Sequence, residues 1–490
     1  MDTTFRPALA LTTGRIIGGL FAAVVPLVLV RLLDPAGFGT YKQIFLIYAT
    51  LFGIAQIGMA ESLYYFLPHE SRHAGRFVAN SLLVLLGAGL LCLGLLVVLA
   101  PVAARAMNNP ELAGVLGLLG VFLALMLASN VLEIAMTARG RVLLAASSYA
   151  VSEVVRALLF IVPVIVFRSV RALLAGAALF AALRVAAAVA WLWSEYGSEL
   201  RPDLARLRVQ VAYALPFAAA VLIHVLQENF HQYAVSSRFD AATFAVYAIG
   251  CLQVPLVDVL STSVSSVMMV RMTEDRAAGR TERILPHWHD TTRKLALIFC
   301  PLVGLLVVDA RAIIQVLFTE RFLASTPILM LWSLAFLAAI LQIDGVLRVY
   351  ADTRFLLIMN LCRLGLVVML IGPFLSLFGL PGAVVVTLAA LFAGKAMALL
   401  RIARLMNARV RRLLPWADLA RIAAASGLAM VPAWMVHTAG LPPWGSLLAT
   451  ALVYALTCGI LLLSFKAVTI PREIVFPAWM VRRAERGQTS

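Results

Sequence analysis

Apolar residues run along almost the whole chain in long blocks, separated by short polar and basic stretches. A helix needs roughly 20 mostly apolar residues to cross a bilayer. Tested against that length, the pattern predicts about fourteen spanning helices. They cover residues 11–33, 40–63, 77–102, 112–137, 144–167, 172–193, 211–235, 243–269, 295–308, 327–349, 355–378, 381–400, 422–439 and 444–465. The expected fold is therefore an all-α polytopic membrane protein. The ninth block is the shortest, with Arg293 and Lys294 at one end, where their stems must snorkel. Residues 312–318 after it are expected to lie along the membrane surface. The first block is long enough to span and lacks the short core and small-residue cleavage site of a secretory signal, so the first helix is expected to be retained.

Composition agrees with this pattern. Of 490 residues, 62% are hydrophobic and 13% charged, too little polar surface for a soluble protein of this length. The formal charge of +16 does not indicate nucleic acid, because the basic residues sit between apolar blocks, where anionic headgroups can meet them. With alternating spans and a cytoplasmic N-terminus, about 28 Lys and Arg fall inside and about 8 outside. Both termini, including the basic tail at Arg482, Arg483 and Arg486, are thus expected on the cytoplasmic side of a bacterial inner membrane. Cys92, Cys251, Cys300, Cys362 and Cys458 each lie inside an apolar block. They form no CxxC pair or ligand cluster and are read as small core residues. No catalytic motif, metal site or cofactor is expected.

An internal repeat organises the chain. Asp34-x3-Phe38-x2-Tyr41 after the first span matches Asp240-x3-Phe244-x2-Tyr247 after the seventh, 206 positions later. The same shift maps Leu174-Ala-Gly176-Ala177 onto Leu380-Pro-Gly382-Ala383. Two matches at one shift, in corresponding loops, predict two pseudo-symmetric six-helix lobes of parallel topology. The lobes are expected at residues 1–205 and 206–408, with two extra helices and a basic tail at 409–490. Paired repeats of this kind underlie alternating access in many transporters, and a static scaffold is the competing reading.

The run Leu29-Val-Arg-Leu-Leu-Asp34-Pro-Ala-Gly37-Phe38-Gly39-Thr-Tyr41 resembles the first outer loop of polysaccharide (O-antigen type) flippases. That family belongs to the multidrug/oligosaccharidyl-lipid/polysaccharide (MOP) exporter superfamily. Phe318-Thr-Glu-Arg-Phe322 with Pro327-Ile-Leu, Ala351-Asp-Thr-Arg354 and Gly379-Leu-Pro-Gly382-Ala383 are similar to its later helix entries, in the same order. The resemblance implies a two-lobed transporter that moves undecaprenyl-diphosphate-linked glycans from the cytoplasmic to the periplasmic leaflet. It implies a lipid-linked glycan substrate and contact with membrane lipids, and leaves room for glycan polymerase or assembly partners. The family has no invariant catalytic motif, so no residue role is carried over.

Charges inside spans mark the candidate site, because each costs roughly 2.5–3.5 kcal/mol near mid-bilayer and persists for a reason. Arg156, Arg184, Arg363 and Lys395 fall on the repeat-equivalent fifth, sixth, eleventh and twelfth spans. They are the expected substrate-binding cations, since a guanidinium fork suits a diphosphate; structural pairing, for example of Arg156 with Glu153, is the competing reading. His224, Glu228 and His231 recur at i, i+4 and i+7 on the seventh span and share a face. With Asp258, Asp344 and Glu133 they are the ion-coupling candidates; a satisfied polar stripe is the alternative for the first three, and an Asp344–Arg348 pair for Asp344. His69, His73, His287 and His289 are expected at the cytoplasmic surface, and Pro26 and Pro216 as bends in the related first and seventh spans. A drug or cation antiporter of the same superfamily competes with the flippase reading, although four intramembrane cations disfavour it. A glycan polymerase is a third option, but it needs a large outer loop that the chain does not show.

Overall fold

The computed structural model describes Gly18, Gly19, Phe21, residues 23–465 and Ala467. The start of the first predicted span and the basic C-terminal tail lie outside the described residues. Among the described residues, with shorter helical turns between some of them, the fourteen main helical segments are labelled α1 to α14. They are α1 Ala23–Leu32, α2 Pro35–His69, α3 Ala74–Val98, α4 Leu116–Ala138, α5 Val142–Phe167, α6 Val170–Tyr196 and α7 Leu204–Ser236. Next come α8, in two pieces Ala241–Gly250 and Pro255–Ala277, then α9 Ile284–Val308, α10 Glu320–Val349, α11 Thr353–Phe378, α12 Leu380–Leu405, α13 Trp416–Val436 and α14 Pro443–Ser464. Twelve of the described helices are long and apolar enough to cross a membrane, or 13 when the bent α7 is included. The protein is an all-α, membrane-embedded chain. Helix α7 bends by 47° between its parts Leu204–Pro216 and Val221–Ser236, where Pro216 removes a backbone hydrogen bond.

Short-range chemistry sets the helix starts. Asp34 caps α2, its Oδ1 accepting from the Gly37 amide at 3.0 Å, with Pro35 at the first helical position. Asp240 caps α8 in the same way through the Thr243 amide at 2.9 Å. Phe38 and Phe244, four residues on, are both fully buried. The second matched motif also has a common structural basis. A Cβ at Gly176 would lie 1.9 Å from the Leu159 carbonyl, and one at Gly382 would lie 2.2 Å from the Phe374 carbonyl. Each glycine lets its helix meet the backbone of the preceding one, so any side chain there would force the pair apart.

Two compact units emerge from the contacts. One holds the described residues of Met1–Pro255 with Leu317–Ile328 and Arg354–Gly394; the other holds Leu256–Val316, Leu329–Thr353 and the described residues of Lys395–Ser490. In the first, α2 is the central element. Gly39 packs so closely on α8 that a Cβ would overlap the Ala241 carbonyl. Polar groups extend this contact: Gln43 donates to Ser236 Oγ (2.8 Å) and the Met107 carbonyl (3.0 Å), and Asn109 donates to Gln43 Oε1 (2.6 Å) and Thr40 Oγ1 (2.8 Å). Gln43, Ser236 and Asn109 are buried, and hydrogen-bonding one another offsets the cost of removing them from solvent.

In the second unit α9 is longer than the predicted block. It begins at Ile284, because the amphipathic stretch carrying His287, His289 and Asp290 continues the helix. Lys294 pairs with Asp290 at 2.6 Å. Residues 312–318 differ from expectation too. Ala310–Ile313 is a short helix and Ile314–Phe318 a π turn. Ile313, Ile314, Val316 and Phe318 are buried in protein, so this segment is packed and does not lie on the membrane surface.

Candidate functional site

Helix α2 carries an aromatic stripe at helical spacing: Phe38, Tyr41, Phe45, Tyr48 and Phe52. Tyr41 meets Phe45 at 4.9 Å between centroids, Tyr48 stacks on Phe122 of α4 at 4.9 Å, and Phe45 meets Phe160 of α5 at 5.8 Å. Lys42 lies over the Phe38 and Tyr41 rings, 5.5 and 5.6 Å from their centroids. The predicted second span, 40–63, puts Lys42 in its first turn. The helix in fact starts at Pro35, capped by Asp34, and that cap was the available signal that Lys42 sits two turns in.

Beside the stripe, α4, α5 and α6 bring together a cluster of hydroxyls and opposite charges. Arg184 donates from Nη2 to Glu133 Oε2 at 2.6 Å, from Nη1 to Ser152 Oγ at 2.9 Å and from Nε to Ser129 Oγ at 3.1 Å. Ser148 donates to the other Glu133 oxygen at 3.3 Å. Arg156 pairs with Glu153 one turn earlier on α5. The two guanidinium groups differ in availability. Arg184 is 11% exposed and bonded on three sides, whereas Arg156 is 27% exposed and held by a carboxylate on its own helix. The first ties three helices together, and the second is paired within its own helix.

Arg363 on α11 lies in the same unit. With the Gln227 amide turned to satisfy its neighbours, its oxygen accepts from both Arg363 Nη atoms at 2.9 and 3.0 Å, and its nitrogen donates to Asn360 at 3.2 Å. The Arg363 stem crosses Gly394 of α12, where a Cβ would come within 2.5 Å of Cδ. Lys395, the next residue, falls in the other unit and donates to the Leu341 carbonyl at 3.1 Å. Three of the four predicted substrate cations therefore share a unit, and the fourth does not.

The predicted α7 stripe divides. His231 is buried and its Nδ1 meets the Tyr247 hydroxyl of α8 at 2.7 Å. His224 and Glu228 are exposed. A second stripe at the same spacing, Asn229, Tyr233 and Ser236, faces α2: Asn229 and Tyr233 donate to Thr50 Oγ1 at 3.1 and 3.0 Å, and Ser236 accepts from Gln43. Sequence reading passed over this set because it holds no charge. Asp258 and Asp344 are exposed, and among the described residues no ion pair joins Asp344 to Arg348. Glu133 is the Arg184 partner.

The surface histidines have ordinary partners. His287 meets Asp275 at 2.8 Å, and His289 the Arg412 carbonyl at 3.0 Å. Among the described residues no three His, Cys, Asp or Glu side chains gather as a metal site.

A bent α7, an aromatic-lined α2 and embedded cations on α5, α6 and α11 are set in a fold that solved membrane proteins share. The lipid II flippase MurJ, in an inward closed conformation, superposes with a TM-score of 0.70 at 13% identity, covering 94% of this chain and 99% of that one. A MOP superfamily transporter from Pyrococcus furiosus, described by the reversed polarity of its binding pocket, matches at 0.56 and 14% identity over 81% of this chain and 95% of its own. A multidrug resistance MATE family transporter in an outward-facing conformation matches at 0.53 and 14% identity, over 82% and 97%. The chain shares the fold of these proteins. A family model of polysaccharide biosynthesis proteins matches residues 28–327, and the chain belongs to that family. No curated protein matches it by sequence comparison.

Proposed function

We propose that this protein flips a lipid-linked, diphosphate-bearing oligosaccharide of the undecaprenyl type from the cytoplasmic to the periplasmic leaflet of a bacterial inner membrane. It does so by alternating access of its two repeat halves, 1–205 and 206–408, coupled to an ion gradient. The observation that carries the reading is Arg156, a guanidinium 27% exposed within a span, on the helix whose Phe160 meets the aromatic stripe of α2, in a chain of the polysaccharide biosynthesis family.

Glu153 neutralises Arg156 between turnovers at i, i+3. A diphosphate offers that fork a better bidentate acceptor than one carboxylate. Arg184 holds the floor of the site through Glu133, Ser129 and Ser152, and the aromatic stripe supplies flat faces and hydroxyls for sugar. Arg363 and Lys395 are further contacts for the anionic substrate. Exposed Glu228 and His224 on the bent α7 are the coupling groups, because an ion that binds one conformation better than the other shifts their balance.

The test is flipping of a fluorescent diphosphate-linked oligosaccharide in vesicles containing the purified protein. Compared at equal amounts of folded protein, because Glu153 loses its ion-pair partner, Arg156→Gln should slow flipping at least about tenfold, the loss of one charge-assisted pair, and Arg156→Lys should recover part of it. Unimpaired flipping by Arg156→Gln would remove the site. Inhibition of wild-type flipping by lipophilic organic cations, and not by free diphosphates, would favour the antiporter instead.

A further inference from the structure

The second unit contains a carboxyl group that the transport reading does not use. Asp309 caps the end of α9, its amide donating to the Leu305 carbonyl at 2.9 Å and its carbonyl accepting from the Ile313 amide at 2.8 Å. Its side chain is 0% exposed, and neither carboxyl oxygen has a hydrogen-bond partner. A permanently ionised carboxylate in that setting carries most of the cost of lost hydration, offset only by the neighbouring Thr450 hydroxyl and by His437.

The surroundings have the composition of a proton site. From the turn after α13, His437 brings Nε2 to 3.7 Å from Oδ1, while the same nitrogen meets the Val308 carbonyl at 3.2 Å and Nδ1 meets Ser446 Oγ of α14 at 3.1 Å. Thr450, also on α14, is completely buried with its hydroxyl beside the carboxyl. Tyr454, one turn further, directs its hydroxyl to the Ser426 carbonyl of α13 at 3.1 Å and caps the close approach at Gly304 of α9. Arg311, in the next turn of chain, is exposed. Of the groups facing Asp309 from α9, α13 and α14, His437 is thus the titratable one among the described residues, and no full positive charge is fixed against the carboxylate.

We propose that Asp309 and His437 form a proton-binding site that clasps the end of α9 to the hairpin of α13 and α14. On the topology proposed above, this end faces the periplasm. With one proton shared by the pair, the buried carboxyl is neutral or faces an imidazolium, and the hairpin is held. When the pair is deprotonated, a bare carboxylate remains in a protein interior, and separating the hairpin from α9 lets water reach it. Burial pushes the Asp309 carboxyl up to about 7, with the Thr450 hydroxyl opposing. A raised acid binds its proton more tightly in the packed state. The clasp is therefore strongest at low pH, weakens as pH rises from the ordinary carboxylate value of 3.8 through about 7, and levels off above.

This site is independent of the flippase reading, and its test measures no transport. The full chain in lipid nanodiscs is followed by amide hydrogen exchange of residues 437–446, corrected for intrinsic rate, from pH 5 to 8. Wild-type protection should fall by at least about tenfold across that range. Asp309→Asn, neutral and of the same shape, should hold the low-pH level throughout, and His437→Gln should displace the midpoint. The same pH profile in wild type and Asp309→Asn would overturn the proposal. An unchanged profile in His437→Gln would remove the histidine from the site. Restoration of protection at pH 8 by sodium, but not by choline, would overturn it in favour of a metal-cation site.

Discussion

Arg184 and Asp309 are both charged side chains taken out of solvent, and the protein treats them in opposite ways. The Arg184 guanidinium meets a carboxylate and two serine hydroxyls drawn from α4 and α5. The Asp309 carboxyl has no hydrogen-bonded partner for either oxygen and a histidine at 3.7 Å. A buried charge that is fully bonded joins helices and resists change. One that is left open stores a penalty that a proton can relieve. The first arrangement builds a frame, and the second builds a group whose state depends on its surroundings.

The comparison breaks most visibly if the frame is cut. Arg184→Ala leaves Glu133, 17% exposed, without its ion pair and with only Ser148 bonded to it, takes away the partner of Ser152, and should cost about 3–5 kcal/mol. The expected result is a large loss of folded protein and a much lower melting temperature in detergent. Replacing both partners together, Arg184→Met with Glu133→Leu, should recover most of that stability, since no lone charge remains. A single variant as stable as wild type would mean the cluster is not a frame.

Removing the charge at Asp309 sharpens the contrast, because the sign reverses. At pH 8 the wild-type carboxyl is ionised in a site that penalises it, so Asp309→Asn should raise stability by about 1–3 kcal/mol. At pH 5 the gain should be smaller, and it should vanish only below the ordinary carboxylate value of 3.8, where the folded and unfolded carboxyls are both protonated. Melting curves of the two proteins at both pH values check this. A variant less stable than wild type at pH 8 would show that the ionised group has a stabilising partner.

The frame was more legible in sequence than the open group. Block length alone places the helices, since spanning a bilayer constrains composition over twenty residues at a time. The repeat was legible because its residues do local work: Asp34 and Asp240 cap helices, and Gly176 and Gly382 permit close crossings. Arg156 and its Glu153 partner lie one turn apart and were visible as a pair. Arg184 and Glu133 are 51 residues apart, and nothing in one sequence joins them. The polar contact of α7 with α2 went unseen because Asn229, Tyr233 and Ser236 are uncharged. Asp309 was hidden differently. It ends an apolar block, where an aspartate reads as an ordinary loop residue, and only the packing of α13 and α14 over it makes it buried.

Asp203 supplies the mildest test, a charge that is bonded but near water. It caps α7 by accepting from the Ala205 and Arg206 amides at 3.1 and 3.2 Å, and it accepts from Arg76 at 3.0 Å and from the Arg206 side chain. The Arg76 hydrogen bond, followed by the Arg206 contacts, holds its carboxyl well below the usual carboxylate range. A depressed acid contributes stability that is present above its unfolded value and lost as pH falls through the folded one, the reverse of Asp309. Asn retains the capping oxygen and loses the charge. Asp203→Asn should therefore melt slightly below wild type at pH 7, by less than either change above, because ion pairs open to solvent are screened. The gap between the two proteins should close as pH is lowered past the ordinary carboxylate range, and it should narrow at pH 7 when salt is raised. A gap that widened in acid would mean that Asp203 is protonated in the folded protein, and the loop would then belong with Asp309 as an open group rather than with Arg184.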